Sequence, residues 1–418
     1  MLYKKVSASI EKLGPGLLLA AMCVGTSHLV HATRAGANYG FALTWLIIFA
    51  CIIKYPGVRF GSDYAVATDK TLVDAYESQG PWILRAFAIL FSVDMLAAPP
   101  AIALVTAGIT KKALGISYPD FMVVAALLTL CCAILLIGKY KLFESVTKLF
   151  VLLFAALTIF AVGAVLIETT ELNVSTSLKV DYDKPTILFM IAAAGWMPTA
   201  ILTSVIQSNW VCAKRKELKS KFDSNTVRFD FNVGYILTVL LALCFVFLGA
   251  ALMNEQGIVV ATNSSDFAGQ LIALFTQSTG GASYVLIATT AVVVMFSTLL
   301  TILDGFSRTA EKIALQIRSK QSGGNSALNY SFFLILQTML AIVVILLFLD
   351  SFFVFIDLAA SLAFFTAPFV AFFNHRAMKS SEISSNFYPS IIMRIWSVGS
   401  IFFLALAAVL YAYMRFFT

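Results

Sequence analysis

The feature that most limits this chain is its series of apolar stretches, each long enough as a helix to cross about 30 Å of hydrocarbon. They lie at approximately 14–36, 41–61, 84–109, 121–138, 145–167, 186–210, 230–253, 283–305, 329–349, 352–373 and 391–414. Short polar loops separate them, so the 418 residues read as one membrane domain rather than two or three soluble ones. Composition agrees: 60% of the residues are hydrophobic and 12% charged, where a soluble domain carries about 25% charge. The expected fold is an all-α integral membrane bundle of about eleven transmembrane helices.

An odd number of crossings puts the termini on opposite sides. Cytoplasmic loops are enriched in Lys and Arg, and with the N-terminus inside, the loop after the sixth stretch alone holds Lys214, Arg215, Lys216, Lys219, Lys221 and Arg228. The outer segments keep only Lys111, Lys112, Lys179, Lys184 and Arg415. The chain is therefore expected in the plasma (inner) membrane, N-terminus cytoplasmic and C-terminus outside. Residues 319–326, SKQSGGNS, read as a flexible inner linker, and the net charge of +7 is spread between spans rather than gathered into a nucleic-acid patch. The partners expected are membrane lipid and a small solute, with no nucleic acid.

Soluble-enzyme signatures are missing: the sequence has no GxxxxGK[ST] loop, no HExxH, no GxSxG and only three histidines. The six cysteines, Cys23, Cys51, Cys131, Cys132, Cys212 and Cys244, lie in or beside apolar runs without CxxC spacing and read as small buried hydrophobes. No cofactor and no enzyme activity are implied. A chain of this kind moves solutes down an ion gradient or down their own, as a secondary transporter or a channel.

Two spans carry helix breakers at mid-depth. In the first, Gly25-Thr26-Ser27 interrupts an apolar helix. In the sixth, Gly195 and Pro198 do the same, and the proline frees carbonyls near Ala194 and Trp196. Unpaired backbone in a bilayer is tolerated where it lines a cavity or binds something. Two broken helices five spans apart are what an inverted repeat produces, with a solute site where the half-helix ends converge.

The same residues resemble a known family. GPGLLLAA followed by AGANYGFALTW is similar to the first span of the natural resistance-associated macrophage protein (Nramp) metal transporters, GWMPT to their sixth-span motif, and DGF at 304–306 to their EGF. The resemblance implies a leucine-transporter-type fold with inverted five-helix repeats, at about 14–167 and 186–373, plus an extra helix at about 391–414. It also implies a site at Gly25, Thr26, Ser27, His28, Ala194, Gly195, Met197 and Thr199. At that site the family's Asp-Pro-Gly-Asn falls on Gly25-Thr26-Ser27-His28 and its Met-Pro-His on Met197-Pro198-Thr199, while a second family histidine falls on Ser204. The metal-binding aspartate and the relay histidines are thus replaced.

A divalent cation without a carboxylate is poorly held at mid-membrane. The sequence therefore favours a small inorganic ion other than a transition metal, first an anion such as bicarbonate coupled to sodium. The alternatives are a divalent metal (Mn/Fe/Mg-like) on Met197 and backbone carbonyls, or a transport-inactive receptor or channel. His28, His31 and Arg34 share one helical face; the histidines are either ligands or interhelical hydrogen bonders, and Arg34 either lines the pathway or snorkels to the outer interface. Sodium has candidate ligands in Met22, Ser297, Thr298 and Thr301. Asp94 is an intramembrane carboxylate that couples a cation, carries a proton, or caps a break before Pro99-Pro100. Gln207 and Asn209 line the inner pathway or mark a helix end, and Asp304 with Arg308 reads as a surface pair.

Overall fold

The computed structural model describes residues 13–138, 140–168, 180–218, 223–279, 284–319, 329–347 and 352–417. Within them the chain is helical, in the order α1 (Pro15–Cys23), α2 (Ser27–Tyr39, its first turns Ser27–Ala32 wound as π-helix), α3 (Thr44–Thr68), α4 (Leu72–Ser78), α5 (Pro81–Leu114), α6 (Asp120–Ile137) and α7 (Tyr140–Glu168). There follow α8 (Lys184–Trp196), α9 (Thr203–Leu218), α10 (Ser224–Gly249, extended as π-helix over Ala250–Asn254), α11 (Ser264–Thr279), α12 (Tyr284–Ser319), α13 (Tyr330–Leu346), α14 (Phe352–Ala377) and α15 (Ile391–Phe416). The linker read at 319–326 lies, apart from Ser319, outside the described residues.

Eight of these helices are long and apolar enough to span a membrane, and α1 with α2, bent by 46° at their junction, makes a ninth. The broken pair α8–α9 and the shorter apolar α13 account for the other two stretches seen in the sequence. Several helices outrun their apolar runs. α5 passes without interruption through Pro99 and Pro100, so Asp94 caps no break there, and α9 continues to Leu218, so Gln207 and Asn209 mark no helix end. The connections also hold two helices that span nothing, α4 and α11.

Polar residues outside the hydrocarbon start the helices. Asp183, Asp223, Asn329 and Ser390 accept the backbone N–H three residues on, at 2.9, 2.9, 3.0 and 3.2 Å, capping α8, α10, α13 and α15. The centre of the bundle is the first span, and every residue of α1 is buried. Outward faces are apolar as well: Leu130, Phe160, Met339, Ile395, Phe402 and Val409 are exposed, which is stable only where hydrocarbon is the solvent.

α10 packs backbone to backbone on both halves of the first span. A β-carbon on Gly16 would stand 1.9 Å from the Asp230 carbonyl oxygen, and one on Gly36 2.1 Å from that of Val246. Glycine at such crossings lets helices approach until only main-chain atoms separate them. The Asp230 carboxylate fixes the lower contact by accepting from Gly14 N at 2.9 Å and Gly16 N at 2.7 Å.

Candidate functional site

The two breaks meet. α1 stops at Cys23 and α2 starts at Ser27; α8 stops at Trp196 and α9 starts at Thr203, with a cis peptide between Met197 and Pro198. Between these ends lies a cavity of about 60 Å³, room for several waters. Met22, Cys23, Thr26 and Ser27 line it from the first break, and Trp196, Thr199, Ala200, Leu202 and Thr203 from the second. α5 contributes Asp94, Ala98 and Ile102, and Ile206, Ile302, Phe306 and Ala363 complete the wall.

Asp94 restores a carboxylate that the first-span motif lacks. Its Oδ2 accepts from the Thr366 hydroxyl at 3.0 Å, while Oδ1 is buried with no partner in the protein. The Thr26 hydroxyl is likewise buried and unpartnered. Thr199 and Thr203 hydroxyls pair with each other at 3.0 Å. Two orphan polar atoms on residues lining one cavity mark where a solute or water completes the hydrogen bonding.

Of the other residues singled out by sequence, several lie behind the wall. His28 is fully buried and turned from the cavity: its Nε2 meets the Thr238 carbonyl of α10 at 2.8 Å, and its Nδ1 meets Cys23 O and Ser27 Oγ, each at 2.8 Å. It bridges the first break to α10. A β-carbon on Gly25 would press on Thr298 at 2.7 Å, and one on Gly195 on the Ala360 carbonyl at 2.0 Å, so both glycines serve close packing. Ala194 and Met197 are buried outside the lining, and the Met197 thioether is not presented to the cavity. Ser204 accepts from Asn374 at 2.8 Å. Gln207 is buried with its amide unpartnered, and Asn209 donates to Thr309 at 3.0 Å.

The α12 hydroxyls are spent on carbonyls. Ser297 donates to Val294 at 2.8 Å and Thr301 to Ser297 at 2.7 Å, within their own helix, whereas Thr298 crosses to Ala21 of α1 at 2.8 Å. Asp304 and Arg308 do pair, at 2.8 Å, but Asp304 is buried and also accepts from Tyr330 at 2.9 Å.

Two charged side chains tied to these breaks escaped the sequence. Lys54, in the middle of α3 and 0% exposed, donates to the carbonyls of Gly195 at 2.6 Å and Thr199 at 3.1 Å, on either side of the second break. Gly195 and Thr199 are thus the carbonyls of the second break that Lys54 satisfies. Asp357 of α14 receives Arg34 in a two-pronged pair, Nη1 at 2.7 Å and Nη2 at 3.1 Å, and His31 Nε2 at 3.1 Å. Arg34 thus turns inward and does not snorkel. Phe353 and Phe189 cover its guanidinium at 4.0 and 4.8 Å, and Trp196 carries this plug down to the cavity by an edge contact with His31 at 5.7 Å. A charged residue inside an apolar run was the only signal for either side chain.

The opposite, basic end is held by a looser network. Arg59 and Arg228 share Asp63 at 3.0 and 3.3 Å, Lys312 reaches Asp74 at 3.0 Å, and Lys70 reaches Glu382 at 2.9 Å. Burial pushes the Asp74 carboxyl up, but the Thr71 N–H and hydroxyl and the Lys312 ammonium outweigh it and hold it below the usual range. Hydrogen bonds from Lys70 and Tyr64 hold Glu382 low as well.

The family profile described as natural resistance-associated macrophage protein-like matches residues 16–414. The chain belongs to the Nramp family. An uncharacterised protein of Pasteurella multocida (strain Pm70) is 35% identical over 317 residues, 74% of this chain and 72% of that protein. Among solved structures, the manganese transporter of Eremococcus coleocola, in complex with an aromatic bis-isothiourea substituted compound, aligns with a TM-score of 0.69 at 14% identity, over 98% of this chain and 87% of that one. MhsT in complex with L-phenylalanine aligns at 0.64 with 15% identity, over 96% and 98%. Mhp1, a nucleobase-cation-symport-1 family transporter with bromovinylhydantoin bound, aligns at 0.58 with 14% identity, over 97% and 93%. At these identities the structures speak for the fold, a leucine-transporter-type arrangement with broken first and sixth spans. The Nramp protein described here is a multi-pass membrane transporter.

Proposed function

We propose that this Nramp-family chain is an ion-coupled secondary transporter whose cargo is a small organic solute, with an acceptor group at one end and a hydrogen-bond donor at the other. The cavity wall carries the reading: eleven of its sixteen lining side chains are apolar, and two of those are the aromatic Trp196 and Phe306. A bare ion taken out of water needs polar ligands on most sides. A solute with an apolar body does not, and sites for such solutes are mostly apolar with a few placed polar groups. Thr26 and Ser27 bring the N-terminal, partly positive end of α2 to the cavity, which suits a carboxylate-like acceptor. The unpartnered Oδ1 of Asp94 suits a donor. In line with this, MhsT holds L-phenylalanine and Mhp1 bromovinylhydantoin on the same architecture.

The inorganic-anion reading keeps the α2 terminus as its support, but bicarbonate would face Asp94 with no Lys, Arg or His in the lining. For the divalent-metal reading, manganese is named for the Eremococcus protein. Here Met197 lies outside the wall, and no group of three or more His, Cys, Asp or Glu that could hold a metal occurs among the described residues. Sodium remains the proposed coupling ion, with Thr298 at the contact of α12 and α1 as its candidate ligand. The proposed orientation is N-terminus cytoplasmic, C-terminus outside, in the plasma membrane, which puts the Arg34–Asp357 plug on the outer side.

Counterflow into proteoliposomes against a panel of two- to four-carbon organic and amino acids, the size a cavity of about 60 Å³ admits, with bicarbonate and manganese, tests the cargo, with and without a sodium gradient. Saturable uptake of an organic acid that falls at least tenfold in Asp94→Asn is the expected result. Uptake of manganese alone, untouched by Asp94→Asn, would sink the reading.

A further inference from the structure

An ammonium in the middle of a membrane bundle is costly, and such groups normally meet a carboxylate. Lys54 is 0% exposed and has no carboxylate within ion-pair distance among the described residues. Its partners are two carbonyls, Gly195 O at 2.6 Å and Thr199 O at 3.1 Å. Gly195 is in the last turn of α8, whose final carbonyls form the negative end of a helix dipole. Thr199 belongs to the unwound segment between α8 and α9. Unwound carbonyls and a half-helix C-terminus are the atoms with which transporters of broken-helix design coordinate a free cation.

We propose that Lys54 is a tethered cation: its ammonium fills, covalently and permanently, a site on the second break that would otherwise require an ion from solution. The first break shows that a charge is not needed merely to satisfy carbonyls, because the neutral hydroxyls of Ser27 and Thr298 do that for Cys23 and Ala21. At the second break, α3 crosses at the same depth and supplies a point charge with three donors on a flexible stem. The consequence is a specific cation dependence. With Lys54 in place the α8–α9 junction is indifferent to which small cation bathes the protein, and without it the junction acquires an ion requirement. This rests on geometry at the break and not on which cargo the cavity takes.

The test therefore uses a readout that needs no cargo: thermal unfolding of the purified full-length protein at fixed ionic strength in choline, potassium, sodium or methylammonium chloride. Wild type is expected to unfold at one temperature in all four. Lys54→Ala, which opens space for an ion, is expected to unfold roughly 5 °C or more lower in choline and to recover saturably in methylammonium or sodium. Lys54→Met, which fills the space without the charge, is expected to stay low in every salt. Recovery of Lys54→Ala from membranes only when methylammonium is present throughout supports the proposal equally. The proposal is overturned if Lys54→Met matches wild type, if Lys54→Ala is insensitive to the cation, or if neither variant is recovered in any salt. Loss of the organic-solute reading would leave these unfolding temperatures unchanged.

Discussion

The two helix breaks face one problem and solve it differently. Each frees carbonyls at mid-depth of the membrane, and each finds donors for them within the protein. At the first break the Cys23 carbonyl meets Ser27 and His28 of α2 itself, the Ala21 carbonyl takes the neutral Thr298 hydroxyl of α12, and the far nitrogen of the His28 ring meets the Thr238 carbonyl of α10. At the second break the donor comes from another helix and carries a full charge, Lys54 of α3. The first break is thus held by neutral groups, to its own second half and to α10 and α12. The second is tied to its neighbour, so any change in the α8–α9 angle must stretch or release the Lys54 bonds.

The largest effect on this contrast is expected from Lys54→Met in a transport assay. Losing two charge-assisted bonds at about 1.5–3 kcal/mol each leaves both carbonyls of the second break bare, and initial uptake rates should drop roughly a hundredfold or more. If instead His28→Ala matched that loss while Lys54→Met was mild, the contrast would be reversed. His28→Ala itself should destabilise by about 1–3 kcal/mol, the cost of an unpaired buried group, and His28→Gln should restore part of it, read as unfolding temperature.

A smaller effect is expected at the plug. Asp357→Asn leaves Arg34 and His31 without their carboxylate, so the aromatic-covered end should open more often. Cys23 lines the cavity, and its labelling rate by a membrane-impermeant maleimide should rise several-fold. Unchanged labelling would mean that the ring contacts alone close that end.

The smallest effect concerns the basic end. Asp74 and Glu382 sit below their ordinary pKa values, so their contribution is fully present at neutral pH and is lost as they take up protons. The protection factors of the α4 amides, exchange corrected for its intrinsic pH dependence, should fall as pH falls from about 5 to about 3, the carboxylate range. Lys312→Ala should remove the smaller part of that pH dependence, because the Thr71 bonds to Asp74 remain.

The fold was largely legible because bilayer thickness sets a length that apolar runs cannot hide, and because Gly25-Thr26-Ser27 and Gly195 with Pro198 are local breakers whose effect needs no tertiary context. The site was legible only in part. Spacing placed His28 at the right depth but could not say that its ring turns to Thr238 rather than to the cavity. Family resemblance pointed to Met197, yet the wall takes its thioether from Met22. Lys54 and Asp357 were hidden because their meaning lies in partners far along the chain, Gly195 and Arg34, and sequence distance carries no trace of such pairing. Asp94 was visible as a candidate, and the structure selects its place on the cavity wall.

The glycine contacts along α10 constrain how the first span can move. Main chain against main chain offers no rotamer to swing aside, so where Gly16 meets Gly234, and where Gly36 meets Val246 and Gly249 meets Thr33, the join yields by gliding or by parting whole. Lying on either side of the break, the two contacts make α10 a splint across a fractured rod, and added bulk at any of the four positions should jam the hinge before it weakens the barrel of helices around it.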